Sequence, residues 1–279
     1  MMKILTINIP TAQKQYPILI GNELIGNLTN HIDINNYSRI FIVTDNIVAP
    51  LFLKKLLQTL PEGTAAITLS SGEKEKNIVT VGKIWSAMKE NNLDRKSLVI
   101  NLGGGVIGDM GGFAASTYMR GIDFLQIPTT LLSQIDASVG GKTGVDFAGI
   151  KNLVGSFQQP IGVIIDTQTL KTLPKREFLS GFGEMIKHGL IADKTYFELV
   201  TSKQPQSFSQ EELINLIARS CEIKKTIVEQ DETENGLRKL LNFGHTIGHA
   251  IESLSLETEM PLLHGEAVAI GMVAEAKVA

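Results

Sequence analysis

Five histidines occur in the 279-residue chain, and three of them, His245, His249 and His264, fall within a window of twenty residues. His245 and His249 are four apart in LLNFGHTIGHAIE, a stretch with helical character, so their imidazoles share one face. Neutral imidazoles at that spacing can converge on a divalent ion. Two such residues alone are as well explained by a helix surface or a satisfied core. The third, in Leu263-His264-Gly265-Glu266, tips the reading toward metal. A catalytic centre needs about three protein ligands and an open position. Upstream, GEMIKH (183–188) offers Glu184 and Lys187 three apart on one helical face, with His188 beside them. A carboxylate next to a lysine on a helix is ordinarily an ion pair. From residue types alone, His249, Glu184 and His188 stay open as the remaining ligand.

A second chemistry is suggested by Gly103-Gly104-Gly105-Val106-Ile107-Gly108-Asp109, which ends an expected strand and opens an expected helix. In that context glycines let a pyrophosphate approach the backbone and face a helix N-terminus. A tight structural turn is the plainer alternative, and Asp123, the acidic residue about twenty positions on, precedes a strand and adds nothing. Ser71-Gly72-Glu73-Lys74-Glu75-Lys76 reads as a charged helix start, and Thr129-Thr130 as a helix cap or as ligands for a phosphate or ribose. Residues 134–160 hold Asp136, Lys142, Lys151 and Asn152 among five glycines, without a strong element. A long loop of this kind is commonly functional, and its ammonium groups would neutralise phosphate or carboxylate. Residue types alone therefore lead to NAD and a divalent metal acting on an anionic substrate.

These groups must be positioned by a scaffold. RIFIVTD (39–45), AAITLS (65–70), SLVINLG (97–103), DFLQIP (123–128) and GVIID (162–166) read as strands. Several lack strict alternation, as expected of strands covered on both faces. Helices are predicted near 46–59, 76–91 and 106–118. The alternation gives an α/β, Rossmann-like open parallel sheet. Beyond residue 171 the texture turns helical, over 176–190, 209–228, 236–253 and 264–279. The TLP at 172–174 is a natural break, so an α/β domain over 1–171 and an all-α domain over 172–279 are expected, whether as one large unit or around separate cores. HGEAVAIGMVAEAKVA is still helical at its last residue and carries no stop signal, which points to a continuing natural chain.

Bulk properties narrow the partners. A net charge of −3 gives no electrostatic case for nucleic acid or an anionic membrane. The apolar stretches are interrupted well before a membrane-spanning length. The start, MMKILTINIP, lacks the basic and apolar regions of a secretory signal. One cysteine, Cys221, excludes an internal disulfide framework and reads as a buried, inert thiol. A soluble, cytoplasmic protein is expected.

The motifs SGEKEK (71–76), GGGVIGDMGGFAAS (103–116), YMRG (118–121) and QIPTTLLSQIDASVGGKTGVD (126–146) resemble those of the 3-dehydroquinate synthases. The resemblance continues through KNLVGSFQQP (151–160), GEMIKHG (183–189), DETENGLRKLLNFGHTIGHAIE (231–252) and HGEAVAIGM (264–272), in the same order along nearly the whole chain. It implies a dehydroquinate synthase-like fold and metal ligands at Glu184, His245 and His264, with His249 turned to the substrate. Implied NAD contacts are Asp45, Ser71, Gly72, Glu73, Lys76, Gly105, Val106, Ile107, Gly108, Asp109, Thr129, Thr130, Lys142, Lys151, Thr169, Leu170, Lys171 and Thr172. Implied substrate and catalytic residues are Asp136, Lys142, Asn152, Lys187, Lys224, Arg238, Asn242 and His249. Arg120 is implied to reach the phosphate in a neighbouring subunit's site, hence a homodimer.

The implied activity is that of a phosphate-eliminating carbon–oxygen lyase of the shikimate pathway, which feeds chorismate and aromatic amino acid biosynthesis. It converts 3-deoxy-D-arabino-heptulosonate 7-phosphate to 3-dehydroquinate and phosphate by transient oxidation with NAD⁺, β-elimination, hydride return and intramolecular aldol closure. Zn²⁺ and Co²⁺ both suit one carboxylate and two imidazoles. Family members run on past HGEAVAIGM through further helices, one carrying a phosphate-binding lysine, so a chain ending here would be incomplete at its phosphate end. Another sugar-phosphate cyclase is disfavoured by Lys224, Arg238 and Asn242, which match the carboxylate-binding pattern. A metal-dependent polyol dehydrogenase is disfavoured by the cationic stretch 142–152, and a non-catalytic scaffold by the intact ligand positions.

Overall fold

The computed structural model describes residues 2–9, 14–256 and 258–278. Its centre is a seven-stranded sheet. In chain order its strands are β1 (Met2–Ile9), β2 (Lys14–Gly21), β3 (Ile40–Asp45), β4 (Ala65–Leu69), β5 (Leu98–Gly103) and β6 (Asp123–Pro128). Next come β7 (Lys142–Phe147) and β8 (Ile150–Phe157), which form a separate antiparallel hairpin, and then β9 (Gly162–Asp166). The sheet order is β1-β2-β9-β6-β5-β3-β4; only the β1–β2 pair is antiparallel.

Period-two geometry explains why the inner strands read as unbroken apolar runs. On β3, Ile40 and Ile42 face a cluster with Leu98, Ile100 and Leu125. Phe41 and Val43 point the other way, onto Val81, Ile84, Met88 and Met110. Both faces are therefore dry, and each such side chain contributes about 1.5–3 kcal/mol on burial. Helices α1 (Lys54–Leu57), α2 (Ile78–Glu90) and α3 (Gly105–Thr117) belong to this layer. After β9 the chain is helical: α4 (Lys175–Ala192), α5 (Lys194–Val200), α6 (Gln210–Gln230), α7 (His245–Ser255) and α8 (His264–Val278). A third cluster joins Ile18, Ile20, Val163 and Ile165 of the sheet to Phe182 and Met185 of α4 and Ile217 and Cys221 of α6. The two regions thus share a core.

Four elements differ from the sequence expectations. Strands β1 and β2 precede the first expected strand. Pro17 interrupts the pattern and is tolerated because pairing with β9 starts one residue later, at Ile18. The predicted helix over 46–59 is reduced to a π turn (Ala49–Leu53) and the four residues of α1. The stretch 134–160 is no loop: it forms a π turn (Ser133–Ala137) and the β7–β8 hairpin, closed by Ala148 and Gly149 at φ 51° and 79°. The predicted helix over 236–253 is split by Gly244, at φ 80°, into a 3₁₀ turn (Leu237–Asn242) and α7. Residue 279 of the last predicted helix lies outside the described residues. Among those described, no helix is long and apolar enough to cross a membrane.

Candidate active site and metal centre

The chain leaves β3, crosses to β4 at the sheet edge, and returns to β5 on the other side of β3. Outside the carboxyl ends of strands at such a switch point lies the natural crevice of an open α/β sheet. Here it is a cleft of about 1060 Å³, lined by Asp45, the 70–76 loop, the start of α3, the hairpin, Lys224, and the α7–α8 residues His249, Glu252 and His264.

The glycine turn has the expected strand–turn–helix setting, with β5 ending at Gly103 and α3 beginning at Gly105. A Cβ on Gly104 would come within 3.1 Å of Thr130, so a side chain there would fill the approach to the helix N-terminus. Further along, a Cβ on Gly111 would lie 1.9 Å from Asn101 Oδ1, which is how closely α3 is docked on β5. Asp45 accepts hydrogen bonds from the amides of Ile47 (2.9 Å) and Val48 (2.8 Å), which shapes the loop after β3. Thr130 Oγ1 accepts from Ser133 N at 3.2 Å and so caps the following turn. Lys76, buried, pairs with Asp109 at 2.6 Å and donates to Asn152 on the hairpin. Of the other residues assigned to this end, Ser71, Gly72, Glu73, Val106, Ile107, Thr129, Lys142, Lys151, Thr169 and Thr172 line the cleft. Gly108 and Lys171 do not line it, and the Leu170 side chain is in the core, so any contribution from that residue is through its backbone.

Toward the helical layer, two carboxylates are each held by an ammonium. Lys224 Nζ donates to Asp136 Oδ1 at 2.6 Å and also to the Asp136 carbonyl. Burial would raise the Asp136 carboxyl, but the Lys224 and Lys187 ammonium groups reverse this and hold it well below its usual range. Lys187 and Glu184, both fully buried on α4, are in direct contact. The same competition leaves Glu184 below the ordinary carboxylate range: burial raises it, and the adjacent ammonium more than compensates. Behind them His188 Nδ1 meets Ser220 Oγ at 2.6 Å, and its Nε2 is 3.9 Å from Asp136. Burial pulls the His188 imidazole down to about 3, so it is neutral.

Above Glu184 the three histidines form a triangle with ring centroids 5.2–5.5 Å apart. Glu184 Oε1 lies 3.8 Å from His245 Nε2 and 3.9 Å from His264 Nε2. That oxygen is buried and receives no hydrogen bond from the described residues. An unpartnered buried carboxylate oxygen is costly, and a divalent cation between it and the two imidazoles would satisfy it, so the donor set fits a metal ion. His245 is kept neutral, as a ligand must be, since burial and the nearby Lys187 lower it to about 4. The alternative group of Asp136, Glu184 and His188 also lies close together. There, however, Asp136 Oδ1 is already taken by the Lys224 ammonium at 2.6 Å, which opposes a cation at that carboxylate.

Lys142, on the hairpin, pairs with Glu234, and Asn242 Nδ2 donates to the same carboxylate at 3.0 Å. Arg238 is 1% exposed and is tied to the carbonyls of Glu232 and Gly140. It does not reach the cleft surface in this arrangement, and neither does Asn242. Arg120 is exposed, at φ 73°, and does not line the cleft of its own chain. Two acidic residues were missed by the sequence reading. Glu234 gathers Lys142 and Asn242. Glu252 accepts from Lys151 Nζ at 2.7 Å and meets His264 Nδ1 at 3.3 Å. Its signal was present, because Glu252 follows His245 by seven positions and so shares its helical face. Burial would raise the Glu252 carboxyl, but the His264 and Lys151 contacts bring it down to about 2. Cys221 is buried, with Sγ 3.4 Å from the Gln134 carbonyl, and burial pushes its thiol up to about 12, as expected of an inert cysteine.

Comparison with known proteins agrees with this arrangement. Residues 66–180 match the 3-dehydroquinate synthase N-terminal family and residues 181–279 its C-terminal counterpart. The chain is 45% identical over 280 residues to the 3-dehydroquinate synthase of Geobacter sp. (strain M21), which covers 98% of this chain and 76% of that protein. It is 48% identical over 271 residues to that of Alkaliphilus metalliredigens, covering 96% and 75%. Among solved structures, a 2-deoxy-scyllo-inosose synthase complexed with carbaglucose-6-phosphate, NAD⁺ and Co²⁺ superposes with a TM-score of 0.89 at 26% identity, covering 99% of this chain and 77% of that one. A 2-epi-5-epi-valiolone synthase from Streptomyces hygroscopicus with NAD⁺ and Zn²⁺ bound gives 0.81 at 29%, covering 92% and 72%. The glycerol dehydrogenase of Schizosaccharomyces pombe, at 16% identity and a TM-score of 0.66, shares the fold, with 92% and 69% covered. With both family regions matched and near-half identity along almost its full length, the chain belongs to the 3-dehydroquinate synthase family.

Proposed function

We propose that the cleft converts 3-deoxy-D-arabino-heptulosonate 7-phosphate to 3-dehydroquinate and phosphate, using NAD⁺ and one divalent ion, Zn²⁺ or Co²⁺. The observation that carries this reading is the placement of His245 and His264 against the unpartnered buried Oε1 of Glu184, with His264 on the lining of a cleft that also holds the glycine turn. The glycine turn, Asp45, the 71–76 loop, Thr129, Thr130, Lys151 and the 169–172 stretch would hold the dinucleotide; the carboxylate and two imidazoles would hold the metal. When bound, these groups supply reversible hydride acceptance and Lewis-acid polarisation of the substrate's hydroxyl oxygens.

The chain's own residues do the rest. Lys142 and Lys224 supply positive charge at the cleft for the substrate carboxylate and phosphate, with Asn152 adding a neutral hydrogen bond, and Arg238 and Asn242 would join them on leaving the Gly140 carbonyl and Glu234. Because Lys142 and Asn242 both hold Glu234, an incoming anion competes with that carboxylate for them. His249 is exposed on the cleft one turn beyond His245, where a neutral imidazole can take up and return a proton. Asp136 and Lys187 fix the Lys224 ammonium and the Glu184 carboxylate.

Two domains, 1–171 and 172–279, are proposed to meet at this cleft, and two copies of the chain to pair, with Arg120 directed to the partner's site. Supporting the second point, Arg120 is exposed and does not line the cleft of its own chain, and Met119 beside it is also exposed. The buried free thiol suits a cytoplasmic setting. The test is phosphate release from the heptulosonate phosphate with NAD⁺ and Zn²⁺ or Co²⁺, followed together with absorbance at the NADH band. Phosphate release without NADH accumulation is expected. Accumulating NADH would replace this reading with a polyol dehydrogenase, and silence with a cyclase for a substrate lacking the carboxylate.

A further inference from the structure

We infer that Glu252 is a positioning residue that orients His264 and ties it to the cofactor end of the cleft through Lys151. The inference rests on the metal reading of Glu184, His245 and His264. Three observations carry it. First, the Glu252 carboxylate is divided between two partners: Oε2 faces His264 Nδ1 at 3.3 Å, and Oε1 accepts from Lys151 Nζ at 2.7 Å. With Nδ1–H donating to a carboxylate, the lone pair of His264 lies on Nε2, the atom that faces Glu184 Oε1. A ligand imidazole whose other nitrogen is held in this way is fixed in tautomer and ring angle, and is a stronger donor.

Second, Glu252 is buried, 5% exposed, on the inner face of α7, whereas a glutamate in that position without a task would be turned to water. Third, its other partner belongs to the opposite wall. Lys151 stands on hairpin strand β8 and lies 3.6 Å from Glu73 of the 71–76 loop. Glu73, Lys151 and Glu252 therefore alternate in charge from the dinucleotide loop to the His264 ligand. His245 has a weaker hold: its Nδ1 is 3.3 Å from the Phe243 carbonyl, a neutral acceptor two residues away. Of the two imidazoles, His264 is the one whose orientation depends on a distant element.

The test is Zn²⁺ affinity of the metal-stripped, NAD-free full chain by chelator competition, with visible spectra of the Co²⁺-loaded protein. Glu252→Ala is expected to weaken Zn²⁺ binding by about 10- to 100-fold and to shift the Co²⁺ bands. Glu252→Gln keeps an acceptor without its charge and should fall between Glu252→Ala and the native protein. This graded recovery is not produced by a merely structural role. Lys151→Met, on a partly exposed side chain, loosens the carboxylate from the other side and should move the Co²⁺ bands in the same direction by less. It also keeps the question answerable if Glu252→Ala does not fold. His245→Ala in the same titration separates the two readings. Should it bind Zn²⁺ normally, the ligand assignment itself fails. If it loses Zn²⁺ while the folded Glu252 variants, or Lys151→Met in their place, keep native affinity and unshifted bands, the role of Glu252 alone is overturned.

Discussion

Gly111→Ala and Gly82→Ala are the same chemical change in two helices, and opposite outcomes are expected. In α2, nothing lies within 4 Å of the position a Cβ would take on Gly82. Alanine there removes unfolded-state freedom without a clash, which stabilises by about 0.4–1 kcal/mol. In α3, a Cβ on Gly111 would sit 1.9 Å from Oδ1 and 2.6 Å from Cγ of Asn101. Asn101 is 1% exposed in β5, with β3 and β6 on either side, so its amide has no open space to enter. Ordinary contact requires α3 to retreat by roughly 1.5 Å. Overpacking of this kind costs about 1–3 kcal/mol. At about 2–4 °C per kcal/mol, Tm is expected to fall by about 2–12 °C in Gly111→Ala and to rise by about 1–4 °C in Gly82→Ala. Because α3 begins at the glycine turn, its retreat also moves Gly105 and Asp109, and NAD⁺ affinity should drop by about tenfold or more, the equivalent of about 1.4 kcal/mol. Differential scanning calorimetry and a fluorescence titration with NAD⁺ read both. A Gly111→Ala protein as stable as the native one, with native NAD⁺ affinity, would refute the claim that close docking of α3 on β5 builds the cofactor site.

Lys142→Ala should cost about 10- to 100-fold in kcat/KM, the rate equivalent of one charge-assisted hydrogen bond, with little change in Tm because the side chain is 46% exposed; steady-state kinetics and a melting curve check both. Arg238→Ala should lose turnover and about 2–5 kcal/mol of stability together, since it empties a buried position and strips a donor from the Gly140 carbonyl, so its melting curve must separate from that of Lys142→Ala. His245→Ala should abolish stoichiometric metal in elemental analysis, and unchanged content would remove it from the ligand set. At the start of α6, Glu212 is lowered to about 2, first by its hydrogen bond from Lys203 and then by the Ser209 amide. A depressed folded-state pKa gives stability that is complete above the unfolded value near 4.5 and is lost as pH falls toward 2. Glu212→Gln should therefore lower Tm at neutral pH and converge with the native protein as the medium is acidified.

Much of this site is legible in residue order, because its parts sit where local geometry and chemistry coincide. The glycine turn announces itself by following one apolar run and opening another. His245 and His249 are paired by helical spacing alone. What closes the metal site is not local: Glu184 lies on α4 and His264 on α8, and only packing of those helices brings Oε1 between the two rings. The hairpin was unreadable for a different reason. In β8 the exposed positions include Ile150, Leu153 and Phe157, so its pattern does not separate wet from dry. It is set by tertiary fit, with Thr143 of β7 against Gly112 of α3. Arg238 shows the converse limit. Its place in a predicted helix says nothing of burial, and one of its backbone partners, Gly140, lies nearly a hundred residues earlier.

The sealed thiol of Cys221 has a practical corollary. Its sulfur is buried between α6 and the Gln134 carbonyl and is held protonated well above neutral pH, so the native fold offers thiol reagents no background signal. A cysteine introduced at exposed Ile150 on the hairpin, or at exposed Leu254 on α7, could be labelled without first removing the natural one. A donor and acceptor pair placed on the two walls would then record, in one molecule and in real time, whether they draw together when dinucleotide, metal and sugar phosphate arrive in different orders.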